Sequence, residues 1–248
     1  MDTGLKGKTV LITGASRNVG RVAAVSFARE GANLALCTSS KMEGLEETAR
    51  LARAQGAEVL THKCDVTDGA QVAGFVEAAR QKFGGVDVAV NNAVYRTDAK
   101  GQGFLEQTYE SWQRNIEVNL TGPYHICRNV VPLMKARGWG RIVNFSGIAP
   151  FLGHGAAKAM VKVGIVGFTR GLATEFAPFG ITANCIGPGT IGTERETHLT
   201  EKKLFADQPV RRLGTPDEVA ELAVYLSSKQ AAFITGQCYL INGGLYYL

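Results

Sequence analysis

The feature that most constrains this chain is a glycine-spaced loop close to its start. Thr13-Gly14-Ala15-Ser16-Arg17-Asn18-Val19-Gly20 follows a short apolar run and precedes a helical pattern. Gly14 permits a tight turn, and Gly20 permits close packing of a helix on a sheet. The N–H groups at that helix start would then be open to a pyrophosphate. A glycine pattern alone says little; its place between a first strand and a first helix makes it a dinucleotide signature. Gly14, Ser16, Arg17, Asn18, Val19 and Gly20 are the expected phosphate-side contacts.

The rest of the chain continues the alternation that this loop begins. Short β-rich runs are expected at 9–13, 33–37, 58–63, 86–90, 141–145, 182–186 and 238–241. Several are apolar throughout, as strands of a sheet covered on both faces must be. Helical patterns fall between them. Asp68 is placed to cap one helix, ended by Gly84-Gly85, and Thr108 to cap another that starts at Tyr109. A long helix is expected from Ala156 to about Ala177, stopped by Pro178 and Gly180, and Pro216 opens a last one. The order predicts an α/β fold: a Rossmann-type, doubly wound parallel sheet of about seven strands with helices on both faces. Residues 1–248 read as one domain, without repeats or low-complexity linkers.

Composition agrees and excludes other classes. With 45% hydrophobic and 20% charged residues over 248 positions, the chain can bury a large core. The net charge of +5 suits an anionic ligand, but Lys and Arg are scattered, which argues against a nucleic-acid partner. The five Cys are far apart and odd in number, so neither a metal site nor a disulfide framework is expected. They read as small buried hydrophobes of a reduced cytoplasm. No apolar run is long enough to span a bilayer, and the polar start has no signal-peptide core.

The end of the second strand bears on which cofactor is held. An NAD site needs a carboxylate there for the ribose 2′-hydroxyl. Here the run is Cys37-Thr38-Ser39-Ser40-Lys41, with no acid. Arg17 and Lys41, with Ser39 and Ser40 as hydroxyl donors, would instead meet a 2′-phosphate. NADP is therefore the expected cofactor, with NAD the second choice.

Further motifs fall in order: Cys64-Asp65-Val66, Asn91-Asn92-Ala93, Asn119-Leu120-Thr121-Gly122, Arg141 through Ser146, Pro188-Gly189-Thr190, Arg212-Leu213-Gly214-Thr215-Pro216, and Gly236-Gln237 with Asn242-Gly243-Gly244. Together with the first loop they resemble the short-chain dehydrogenase/reductase family, 3-ketoacyl-carrier-protein reductases included, over essentially the whole chain. The resemblance implies that Asp65 and Val66 lie beside the adenine. It implies that Asn91 and Ala93 support the central strand and cofactor, and that Pro188, Gly189, Ile191 and Thr193 line the nicotinamide. A substrate lid is implied near 190–209. Asn18 replaces the family's usual Gly or Ala, and Val94 replaces a usual Gly.

The family's chemistry uses Asn, Ser, Tyr and Lys, with the Tyr moving a proton at the substrate oxygen. The segment from Lys162 through Thr169 resembles the stretch that begins at the family Lys, so Lys162 takes that role and also holds the cofactor ribose. Asn119 is in place. The Tyr position, four residues before Lys162, is Lys158; the Ser position is Gly147, with Ser146 one residue earlier. Lys158 and Lys162 share one helix face, and two close ammonium groups repel, so one should release its proton more easily. Lys158 is thus a candidate acid or base in place of Tyr, and Ser146 a candidate substrate contact. His154, just before the helix, is a further candidate. Arg96 is a weaker candidate for an anionic substrate group.

The reading is a divergent NAD(P)(H)-dependent oxidoreductase acting on a small carbonyl or alcohol. A non-redox enzyme on the same fold (lyase, dehydratase or hydrolase) and a catalytically inactive cofactor-binding relative stand as alternatives. By resemblance the chain is a homotetramer, or else a homodimer, with the helices near 109–137 and 156–177 between subunits and the apolar C-terminus over a neighbour's site.

Overall fold

The computed structural model describes residues 2–95, 103–193 and 208–247. Seven strands form one parallel sheet: β1 (Thr9–Thr13), β2 (Asn33–Thr38), β3 (Val59–Lys63), β4 (Val88–Asn91), β5 (Gly140–Phe145), β6 (Ile181–Pro188) and β7 (Cys238–Ile241). Their order is β3-β2-β1-β4-β5-β6-β7. Every expected strand is present, with ends shifted by no more than two residues. β1, β2 and β4 are nearly all buried, which is why they read as unbroken apolar runs.

Helices α1 (Asn18–Arg29), α2 (Met42–Arg53) and α7 (Pro216–Ser227) cover one face, built on Phe27, Leu34, Leu36, Leu45 and Val219. Helices α3 (Gly69–Phe83), α5 (Gly122–Arg137) and α6 (Ala156–Phe176) cover the other, around Phe75, Ile126, Val130, Met134 and Ile142. Between α4 (Tyr109–Ile116) and α5 lies a π-helical turn, Glu117–Thr121.

Local chemistry fixes the helix ends. Asp68 accepts from the N–H groups of Ala70 and Gln71, and Gly84 closes α3 at φ +81. Thr108 accepts from Ser111. Thr215 and Glu218 form a reciprocal capping box around Pro216. The topology reverses between β1 and β4, so a crevice opens beyond their C-terminal ends. Of the expected lid, 190–193 and 208–209 are described; its start is tied down where Gly192 donates to Gly214 O and Gly214 donates to Thr190 O. The remainder, and Arg96, lie outside the described residues.

Candidate functional site

A cavity of about 310 Å³ occupies that crevice. The first loop forms its floor. Gly14 has φ +65, and a Cβ there would stand 2.9 Å from Ala93 Cα. A Cβ on Gly20 would stand 2.4 Å from Gly14 O. Asn92 Nδ2 donates to the carbonyls of Thr13 and Gly14, and Ala93 N–H donates to Thr13 Oγ1, all at 3.0 Å. The end of β4 thus braces the loop.

Asn18 resolves the departure noted in the sequence. At φ +50 it is the only non-glycine residue with positive φ among those described. Asn tolerates this conformation better than most side chains, so the loop keeps its path without glycine. Its Oδ1 is buried and meets no protein donor. A buried acceptor of this kind is costly unless a ligand donates to it. The ribose hydroxyls of a dinucleotide are such donors, and Arg17 places no side-chain cap on the α1 start beside it. The residues present fit a dinucleotide.

Ser16, Arg17, Thr38, Ser39, Ser40 and Lys41 form one wall, with no carboxylate among them. Asp65, Val66 and Arg114 stand on another. Burial disfavours the charged form of Asp65. A hydrogen bond from Arg114 at 2.8 Å and two from Thr67 outweigh that and hold the carboxyl below its ordinary range.

Asn91 is not on the cavity wall. Its Nδ2 donates to Asn144 Oδ1 at 2.8 Å, and Asn144 Nδ2 donates to Thr169 on α6. It braces β4 against β5 from within, and Asn92 lines the cavity instead. Thr193 is on the wall; Pro188, Gly189 and Ile191 cluster at the end of β6, outside this cavity. Arg114 and Val118 line it without having been singled out from sequence. Their position depends on contacts between distant segments.

The expected catalytic residues meet in part. The π-turn presents Asn119, whose Nδ2 donates to Tyr95 O, Asn115 O and Asn115 Oδ1. Its Oδ1 is thereby turned to accept from Lys162 Nζ at 3.2 Å. Lys162, buried, also reaches Phe145 O at 3.4 Å. Ser146 Oγ donates at 2.8 Å to the carbonyl of Lys162, so the hydroxyl anchors α6 to the end of β5. Lys158 stands exposed one turn before Lys162, in the first turn of α6. His154 is exposed in the preceding turn. A Cβ on Gly147 would meet nothing nearer than Pro188 O at 4.0 Å. Among the described residues no group of His, Cys, Asp and Glu could hold a metal ion.

The family model described as enoyl-(acyl carrier protein) reductase matches residues 14–246. A 3-oxoacyl-[acyl-carrier-protein] reductase of Escherichia coli is 34% identical over 97% of this chain and 98% of its own length. One from Thermotoga maritima is 35% identical over the same shares. A solved structure from Sinorhizobium meliloti 1021, classed with the short-chain alcohol dehydrogenases, superposes with a TM-score of 0.89 at 31% identity, covering 97% of each chain.

Proposed function

Because the chain belongs to the short-chain dehydrogenase/reductase family, of the 3-ketoacyl-carrier-protein reductase kind, we propose that it is an NADP-dependent oxidoreductase with an altered proton-transfer site. The substrate is a small carbonyl compound or the matching alcohol. The observation that carries the reading is the wall that Arg17 of the first loop forms with Ser39, Ser40 and Lys41 after β2, cationic and free of carboxylate. It suits a 2′-phosphate and offers nothing to a bare 2′-hydroxyl in the manner of an NAD site.

The N–H groups at the start of α1 would hold the pyrophosphate, Asn18 Oδ1 a ribose hydroxyl, Asp65 and Val66 the adenine, and Lys162 the second ribose. When bound, the nicotinamide exchanges hydride with the substrate carbon. The chain then has to move a proton at the substrate oxygen. With Gly147 and Lys158 where the family has Ser and Tyr, Lys158 Nζ is the group assigned to that transfer, one helical turn from Lys162. Asn119 holds Lys162 in place and links it through Tyr95 O to the segment after β4. Ser146 positions α6 and does not touch substrate in this assignment.

The same reading places the enzyme in the cytoplasm as a homo-oligomer, a tetramer by family pattern. Tyr124 on α5 and Met160 and Val163 on α6 are exposed apolar groups that such an interface would cover. No helix among the described residues is long and apolar enough to cross a membrane.

Fluorescence titration with NADPH and NADH, followed by cofactor absorbance with a panel of carbonyls and alcohols, tests the proposal. Tighter NADPH binding and substrate-dependent absorbance change are expected. Binding of neither nucleotide would overturn it.

A further inference from the structure

The second half of the first loop is pinned from behind, by side chains that do not line the cavity. Ala15 N–H donates to Cys37 O of β2 at 3.0 Å. Arg21, half-buried on α1, donates from Nη2 to Ser16 O at 2.7 Å and to Gly44 O at 3.4 Å, and from Nε to Thr48 Oγ1 at 3.1 Å. Thr48, fully buried on α2, is thereby left to share its own hydrogen between Ala15 O and Gly44 O, both at 2.9 Å. A planar guanidinium fork can hold several acceptors at once, where an ammonium acts as a point charge. Gly44 lets α2 come so close: a Cβ there would stand 2.8 Å from Ser16 O.

This brace joins the two pieces of the cationic wall. Ser16 is followed directly by Arg17, whose carbonyl accepts from Arg21 N–H at 3.2 Å. Arg17 is thus held on both sides, in an extended conformation with φ −166 and ψ 176. Gly44 lies in the first turn of α2, whose N-cap is Lys41, and Leu45 N–H donates to Lys41 O at 3.1 Å. Ser39, Ser40 and Lys41 therefore lead into the helix that Arg21 ties to the loop carrying Arg17. The first half of the loop has a separate clamp, since Asn92 holds the carbonyls of Thr13 and Gly14 from the end of β4. That clamp serves the turn under the diphosphate, which both dinucleotides share. The Arg21 brace fixes a spacing that only a 2′-phosphate would feel.

We propose that Arg21 is a positioning residue that sets the preference for the phosphorylated dinucleotide. Through Thr48 and Gly44 it holds Arg17 and the Ser39, Ser40 and Lys41 turn at one spacing, matched to a 2′-phosphate between them. Charge-assisted bonds to a phosphate need short distances, so donors from both sides must reach it together. A drift of α2 by about an ångström would take one side out of reach. A ribose hydroxyl, neutral and smaller, would lose little by the same drift. The inference rests on the NADP reading of the wall, and Arg21 itself acts only through the residues it holds.

The experiment titrates NADPH and NADH by fluorescence into the parent, Arg21→Lys, Thr48→Val, Thr48→Ser and Asn92→Ala, with a thermal melt of each. Arg21→Lys keeps the charge but cannot span the same acceptors. The NADPH-to-NADH affinity ratio is expected to fall by about tenfold in it, through weaker NADPH. Thr48→Val removes the shared hydroxyl without a change of charge and should lower the ratio in the same direction, while Thr48→Ser should keep it. Asn92→Ala should weaken both nucleotides alike and leave the ratio as it was. In Arg17→Ala, where one side of the wall is already missing, adding Arg21→Lys should change the ratio little. A ratio unmoved by Arg21→Lys would overturn the proposal, whether neither nucleotide weakens or both weaken equally; the first leaves Arg21 only its charge, the second only a structural role. Should Arg21→Lys fail to fold, Thr48→Val decides by the same ratio. A parent that binds NADPH no tighter than NADH defeats the NADP reading and the inference with it. A parent that prefers NADPH, with a ratio the variants do not move, defeats the positioning role alone.

Discussion

Lys162 Nζ lies 3.2 Å from Asn119 Oδ1, which ties α6 to the π-turn between α4 and α5. The bond forms because Asn119 spends its amide hydrogens on Asn115 and Tyr95, leaving only its oxygen for the lysine. Replacing Asn119 by Ala removes one of the acceptors on a buried ammonium. Turnover is expected to fall by about 100-fold, the scale of an ångström-sized misplacement. Stability is expected to fall by roughly 1–3 kcal/mol. Asn119→Asp keeps the acceptor and should recover part of the turnover; steady-state kinetics and thermal melts of both variants decide.

Lys158 carries the proton-transfer assignment. Lys158→Ala should lower turnover by about 10²–10⁴-fold with NADPH affinity unchanged. The double change Lys158→Tyr with Gly147→Ser should raise carbonyl reduction; a Cβ at 147 has room, with Pro188 O at 4.0 Å, but the φ of +158 is one that side chains rarely adopt, so the double variant should also melt at a lower temperature than Lys158→Tyr alone. Unchanged turnover in Lys158→Ala removes the assignment.

Selectivity for the 2′-phosphate should reside in Arg17 and Lys41. Each change to Ala is expected to weaken NADPH by roughly tenfold while leaving NADH nearly unaffected. Ser39→Asp should shift preference toward NADH by supplying the missing carboxylate. Paired titrations at fixed salt measure both.

The Asp65–Arg114 pair predicts a pH dependence. Asp65 has its pKa depressed on folding, so its stabilising contribution is complete above the unfolded carboxylate range near ~3.9 and is lost as pH falls through the lower folded value. The difference in melting temperature between the parent and Arg114→Ala should therefore be present at neutral pH and vanish in strong acid. Both side chains are about a third exposed, so the difference should be small and should shrink with salt.

Glycines separate by what surrounds them. Gly20→Ala would put a methyl 2.4 Å from Gly14 O and 2.5 Å from Asn92 Nδ2. It is expected to cost roughly 1–3 kcal/mol and to weaken NADPH. Gly74→Ala, inside α3 with nothing within 4 Å, should stabilise by about 0.5–1 kcal/mol. Denaturant melts of the two variants should move in opposite directions.

The strands and caps were legible because local chemistry specifies them. Unbroken apolar runs, Asp68, Thr108 and Pro216 each act within a few residues of themselves. The first loop was legible for the same reason. Ser146 was not: its hydroxyl satisfies a carbonyl sixteen positions away in the chain, a choice set by how α6 docks on β5. Asn91 and Asn92 were read as a pair, yet alternation at the strand end sends one into the sheet and the other to the cavity. Arg114 stood out by no pattern, because its partner Asp65 is forty-nine positions away. Asn119 was legible by family pattern, while the π-turn that aims it was not.

That turn sets an angular offset along the segment from Tyr109 to Arg137. Each residue of an α-helix advances the side-chain direction by about 100°. Excising a single position between Glu117 and Thr121 would thus swing either Arg114 away from Asp65 or the apolar row Ile126, Val130 and Met134 away from the sheet. The widened coil works as a phase adjuster, letting one continuous rod face the cavity at one end and the core at the other.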